Sequence, residues 1–292
     1  MEAEVELKIG GVPEHFNLLW ELDECRKFFE KEGIHVQFFE FPGGTGAMSE
    51  AVKSGFLDAS VILTEGAVTE ISRGCNYKIV CPFVESPLYW GIFSSTAHAI
   101  FDIQNLAERV FAISRFNSGS HLMAQYLAFQ SGVQLSMKNF YPANDLSGAR
   151  KALLEGHADL FLWEKYMTRP LVLSGEFRQV GEVTPPWNSF VLVMRNDNEP
   201  RGKDIHNRLC RAVSGAGEAF KAMKNAPELI VERYKIAAED ANEWFANVKY
   251  YNGNRNFTGS LDETARLLKQ FQISSRIPEM SELVYPLNGL DV

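Results

Sequence analysis

The chain has 292 residues, 46% of them hydrophobic and 12% aromatic, which suits one large domain or two of roughly 100–200 residues each and excludes a disordered or collagen-like chain. Its 29 Lys and Arg against 37 Asp and Glu leave a net charge of −8. With no basic run to neutralise phosphates, nucleic acid is excluded as the expected partner.

The longest apolar stretches, such as Ala59 to Leu63 and Phe190 to Met194, fall far short of the roughly 18–20 residues that cross a bilayer. The expectation is therefore a soluble chain that does not span a membrane. Met1 to Glu6 is acidic and lacks the basic and apolar regions of a secretion signal, which points to the cytoplasm, or to the periplasm or cell exterior if a signal was removed ahead of this numbering. Cys25, Cys75, Cys81 and Cys210 form no CxxC and have no His at zinc spacing, so they read as buried free thiols, with neither metal nor cofactor expected.

In chain order, Leu7 to Val12 reads as a strand ending at Pro13, and Leu18, Leu19, Leu22, Cys25, Phe28 and Phe29 follow at helical spacing, stopped by Gly33. Val36 to Phe41 is a second strand. Pro42-Gly43-Gly44-Thr45-Gly46 leads into a helix from about Ala47 to Lys53, and Ala59 to Leu63 is a third strand whose continuous apolar run suits burial on both faces of a parallel sheet. This is βαβ alternation, hence an α/β fold.

An internal echo follows. Ala51, Gly55 and Asp58 recur at identical spacing as Ala152, Gly156 and Asp159, an offset of 159 − 58 = 101, so each copy reads as helix end, glycine stop, Asp turn and buried strand. Ala59 to Glu65 and Leu160 to Glu164 both close on a glutamate. Two similar α/β units are expected, with Phe93-Ser94-Ser95-Thr96-Ala97 as a crossover and Phe190 to Met194 as a strand leading back. After Asn196 the pattern turns helical over Ile205 to Met223, Pro227 to Lys235, Ala241 to Val248 and Leu261 to Phe271.

The stretches around Pro42 to Gly46, Ala51 to Ala59 and Gly74 to Val80 resemble the first lobe of the type 2 periplasmic-binding-protein fold. Asn105-Leu106, Val110 to Ser114, Ser118 to His121, Ala152 to Asp159 and Trp163-Glu164 resemble its second lobe. Within that superfamily the chain looks most like the sulfonate-binding and thiamine-pyrimidine-synthesis group of solute-binding proteins. The resemblance implies two lobes, 1–95 with 195–292 and 96–194, joined by two crossings and closing over a small-molecule ligand in the cleft between them. It also implies a membrane permease as partner if the chain is exported.

Ligands of open α/β sheets sit beyond the carboxyl ends of the strands, and that rule nominates residues. His15 and Phe16 follow the first strand, where His15 reads either as a ligand contact or as an exposed loop histidine. Gly44 and Thr45 precede a helix whose free N–H groups suit an oxygen ligand, with Thr45 as an N-cap the plainer alternative. Asn117, Ser118, Gly119, Ser120 and His121 form the matching helix start in the second lobe. Thr64, Glu65 and Glu164 stand at the paired strand ends, where the carboxylates favour a ligand with N–H donors over a pure anion. Trp90, Trp163 and Trp187 are expected to offer flat surfaces to a planar heterocycle such as an aminopyrimidine, although each alone also reads as core.

No nucleophile elbow and no His-Glu-x-x-His occurs, and the cysteine-rich iron motif of the yeast-type pyrimidine-synthesis enzymes on this fold is missing. A non-catalytic binding protein is therefore expected, with no catalytic residue assigned. The alternative is a cytoplasmic enzyme of the same fold acting on a small heterocycle or carboxylate, with the cleft glutamates as acid and base.

Overall fold

The computed structural model describes residues 4–98, 100, 102–196, 204–254 and 257–286. Strand β1 (Val5–Gly11) turns Leu7 and Ile9 inward to full burial and is followed by a short tight helix, His15–Trp20, and by α1 (Asp23–Lys31). Asp23 and Glu24 lie at the N-terminal end of α1 and Lys31 at its C-terminal end, each on the side that the helix dipole favours. Then come β2 (Ile34–Glu40), α2 (Gly44–Lys53), β3 (Ala59–Leu63), α3 (Thr64–Ser72) and β4 (Tyr77–Val84).

The next stretch holds β5 (Trp90–Ser95), β6 (Phe111–Ile113), α4 (Gly119–Gln130), β7 (Phe140–Pro142), α5 (Leu146–Leu154), β8 (Leu160–Glu164), α6 (Lys165–Leu173) and β9 (Phe177–Val183). Strand β10 (Phe190–Arg195) precedes α7 (Ile205–Ala222), α8 (Ala226–Tyr234), α9 (Ala238–Asn247), α10 (Thr258–Gln270) and α11 (Met280–Leu283). No described helix is long and apolar enough to cross a membrane.

The chain forms two compact units, one taking the described residues up to Ser86 and from Trp187 onward, the other those from Pro87 to Pro186. The first holds a five-stranded sheet in the order β2-β1-β3-β10-β4, the second a five-stranded sheet in the order β7-β6-β8-β5-β9. In each, the first three strands are parallel and the fourth runs antiparallel to both its neighbours. Even an irregularity repeats: the pairing of β10 skips Val80 between Cys81 and Ile79, and that of β5 skips Val180 between Gly181 and Gln179.

The repeated Asp performs one task in both units. Asp58 Oδ2 accepts the Lys8 N–H at 2.8 Å while the Asp58 N–H donates to Lys8 O at 2.9 Å. Asp159 Oδ2 accepts the Val110 N–H at 2.8 Å while its own N–H donates to Val110 O at 2.7 Å. Upstream, Gly55 (φ +79°) and Gly156 (φ +74°) end α2 and α5 in the left-handed region, where a side chain is strained.

The unit boundaries fall several residues before the 95/96 and 194/195 divisions read from the sequence. Phe93-Ser94-Ser95, expected as a crossover, is buried strand: all three residues pair with β9, and Phe93 also pairs with β8. Adjacent serines after Phe93 hide a strand that is buried along its whole length. Within the first unit, Ser189 Oγ donates to Ser86 O at 2.8 Å, tying the outgoing segment to the returning one. There the core is aromatic, with Trp20 stacked between Phe38 and Phe83 at centroid distances of 5.9 and 5.4 Å. The outer edge of β4 is closed by the late chain, through the Val284 bridge to Ile79 and the Tyr285 N–H donating to Ile79 O.

Replacing either repeated aspartate removes a charged acceptor from a strand N–H, so Asp58→Ala and Asp159→Ala should each lower the unfolding free energy by about 1.5–3 kcal/mol in urea titrations.

Candidate functional site

In the first unit, β3 stops at Leu63 and α3 starts at Thr64, so Thr64 and Glu65 occupy the first turn of that helix. Glu65 is buried, and its Oε2 accepts the Trp187 indole N–H at 3.0 Å. Burial pushes the Glu65 carboxyl up to about 7, opposed only in part by hydrogen bonds from the backbone and from Trp187. Thr64 is fully buried, and its hydroxyl has no hydrogen-bond partner among the described residues.

The first turn of α2 lies against this point. A Cβ on Gly66 would stand 2.6 Å from Thr45 Cγ2, so glycine there is what lets the two helix starts approach. The N-cap of α2 is Gly43, and Gly44 follows with φ +67°. Thr45 is therefore inside the first turn and is not the N-cap that its sequence position offered. Gly44, Thr45, Thr64, Glu65 and Trp187 form one cluster in this unit.

His15 and Phe16 have a different setting from the loop read in the sequence. Both are buried in the tight helix after β1. His15 meets Trp244 of α9 edge-on at a centroid distance of 4.3 Å, and burial lowers its pKa to about 3, so the ring is neutral. Phe16 stacks on Phe190 at 3.8 Å. The exposed-histidine alternative is thus overturned, because the aromatic run docks beneath helices that lie more than two hundred residues later. Glu14, which precedes His15 and Phe16 and was expected to open towards a ligand with them, is half-buried, and burial raises its carboxyl to about 7; sequence reasoning missed Trp244 itself. Trp244 shares the buried face of α9 with Asp240 and Ala241, a signal of burial but not of its partner.

In the second unit, Glu164 is the N-cap of α6, with Oε2 accepting the Met167 N–H at 2.6 Å. Trp90 pairs across from it in the β5–β8 ladder. Trp163, one residue back on the other face, stacks on Phe161 at 5.2 Å and packs against this unit's hydrophobic core.

The loop from Ser114 to His121 is internally bonded. Ser118 caps α4, its Oγ accepting the His121 N–H at 3.4 Å, and lies 3.0 Å from Ser120 Oγ, which accepts the Ser114 N–H at 2.9 Å. Asn117, at φ +63°, donates its N–H to His121 Nδ1 at 3.0 Å. That bond leaves the ring proton on Nε2, 3.4 Å from the Gln125 amide, and turning that amide so its oxygen faces the ring satisfies both groups. Burial lowers His121 to about 4. Its neutral ring thus props the Asn117 turn ahead of Gly119, where α4 begins.

Two readings need correction. The glutamates are not equivalent: Glu164 faces Trp90 as Leu63 faces Phe190, both at the N-cap position, whereas Glu65 lies two residues further on and corresponds to Tyr166. The echo holds through the strand and lapses at the helix start. Nor do Trp90 and Trp187 offer open faces, being 4% and 2% exposed. Among the described residues no group of three or more His, Cys, Asp or Glu is placed to hold a metal ion.

Residues 90–183 match a family model described as Ca3427-like PBP. No curated protein matches the chain. Among solved structures, the Candida albicans CA3427 gene product, described as having the generic periplasmic-binding-protein fold, superposes with a TM-score of 0.87 at 22% identity over 96% of both chains. The alkanesulfonate-binding protein SsuA from Xanthomonas axonopodis pv. citri, bound to MOPS, gives 0.79 at 14% identity over 98% of this chain and 99% of that one. The ligand-binding component of an ABC-type import system from Staphylococcus aureus, with zinc bound, gives 0.74 at 18% identity over 97% of both. At such identities the likeness is one of fold, and the chain has the type 2 periplasmic-binding-protein fold.

The raised Glu65 pKa has a signed consequence. The folded protein holds this proton more tightly than the unfolded chain does, so the carboxyl's contribution to stability is complete below the ordinary value of 4.5 and is lost as pH rises towards about 7. Relative to Glu65→Gln, wild type should lose stability across that window and show a constant difference above and below it, as read by urea unfolding at a series of pH values.

Proposed function

We propose that the protein binds a small polar or aromatic heterocyclic solute, closing its two units over it, with a thiamine-precursor pyrimidine as one candidate. The observation that carries this reading is the buried glutamate at the helix start beyond the central parallel strand of each sheet, Glu65 after β3 and Glu164 at the end of β8. Carboxyl ends of strands are where open α/β sheets hold ligands. A heterocycle with an amine and a ring nitrogen presents both a donor and an acceptor to such groups. Glu65, near neutrality, supplies either role, since it donates when protonated and accepts when ionised.

Sulfonates are the competing ligand class, since the SsuA structure holds one. If the chain is exported, a membrane permease is the partner to which a bound solute would pass. A second reading, an enzyme on the same fold, draws on one observation: a carboxyl held near 7 is suited to proton transfer at neutral pH.

A thermal-shift panel of aminopyrimidines, thiamine, small sulfonates and aromatic carboxylates tests the proposal, because a ligand at a hundred times its Kd stabilises by about 2.7 kcal/mol. The expected result is a pyrimidine hit recovered unchanged after prolonged incubation, as read by mass spectrometry. Conversion of the compound would establish the enzyme reading, and silence across the panel would overturn the binding one. Glu164→Ala should cost about 0.5–2 kcal/mol without ligand, through the lost cap, and should weaken the bound pyrimidine by a further 1–2 kcal/mol or so in calorimetric titration.

A further inference from the structure

Trp90 is 4% exposed, and its indole N–H has no hydrogen-bond partner among the described residues. Leaving such a donor unmet costs its full desolvation penalty, and native structures keep few of them. The other unmet side-chain groups have local accounts or belong to the cluster already described. Gln125 reaches His121 once its amide is turned, Asn207 is already tied to Asp204 through its amide N–H, His206 stacks on Tyr285, and Thr64 lies beside Glu65.

The repeated architecture supplies a control for Trp90. Phe190 opens β10 opposite Leu63 and Val84 just as Trp90 opens β5 opposite Glu164 and Val183. A ring without any donor therefore fills the equivalent place in the first sheet, stacked on Phe16. Packing at this position calls for an aromatic ring, and the indole nitrogen is additional. Trp20 and Trp187, by contrast, give their N–H groups to Asn17 Oδ1 and Glu65 Oε2.

We propose that Trp90 reads the ligand through its N–H edge, donating to a ring nitrogen or carbonyl oxygen of an uncharged heterocycle, and does not stack on it. The inference rests on the binding function proposed above and specifies what that ligand must carry. The whole side chain is buried, so it has no open face to stack on, and the unmet N–H is the group with bonding capacity left. Glu164 stands directly across the ladder, where a ligand oxyanion would meet a carboxylate, so an uncharged acceptor is favoured. A carboxylate also has lone pairs for more than one donor. An N–H beside a carboxylate matches a ring nitrogen beside an exocyclic amine.

Trp90→Phe keeps the ring and deletes the donor, and the full-length wild type and variant can be compared by thermal shift and calorimetry with 4-amino-2-methylpyrimidine and with methanesulfonate as probes. The expected result is a ligand-free midpoint no lower than wild type together with about tenfold weaker pyrimidine binding. The indole N–H resonance that disappears in Trp90→Phe should also move downfield when wild type takes up the pyrimidine. A ligand-free midpoint several degrees lower, undiminished pyrimidine binding by the variant, or an unmoved resonance would overturn this inference and leave the binding function standing. Wild type that binds methanesulfonate and not the pyrimidine would overturn the uncharged-acceptor assignment. Wild type that binds neither probe would overturn the binding function and this inference together.

Discussion

A carboxylate bonded to the backbone of the neighbouring strand sets where the third strand of each sheet begins. Asp58 clasps Lys8 through a pair of bonds, and Asp159 clasps Val110 in the same way. Because strand side chains alternate with a period of two, a slip of one residue would move every side chain to the opposite face of the sheet. The clasp therefore fixes which residue emerges at the far end of the strand. The faces taken by Leu63 and Glu164, the last residues of β3 and β8, thus follow from bonds made at the opposite end of five-residue strands.

Much of the local structure was legible because glycine, aspartate and apolar periodicity act over short distances. The strand Ala59–Leu63 lies where its apolar run places it, and Gly33, Gly55 and Gly156 take the positive φ that helix stops require. Phe93-Ser94-Ser95 was opaque because serines in a strand buried along its whole length look like loop residues until their neighbours are known. The unequal glutamates were opaque because similarity through the strand invited extension into the helix, where Leu63 and Glu164 share a position. His15 was opaque for another reason: Trp244, which buries it, lies in a helix that no local pattern connects to it.

The polar groups of the two strand-end clusters differ in what they have left to give. In the second unit, Ser118, Ser120, Asn117 and His121 are engaged with one another, which makes that loop a rigid support. In the first, burial holds Glu14 and Glu65 near the point where protonated and ionised forms are equally populated, while His15 stays neutral. A change of solution pH by one unit around neutrality thus alters the protonation of the first cluster.

The strand order has a temporal meaning. Every strand of the second sheet comes from the continuous segment between Pro87 and Pro186, whereas β10, which separates β3 from β4 in the first sheet, follows that whole segment in the chain. As the polypeptide leaves the ribosome, the later-starting unit has its complete set of strands while the earlier-starting one still lacks the strand that gives β4 its place. The amino-terminal unit is thus the last to be finished, and during synthesis it carries an unpaired edge on β3 for the time needed to make about a hundred residues.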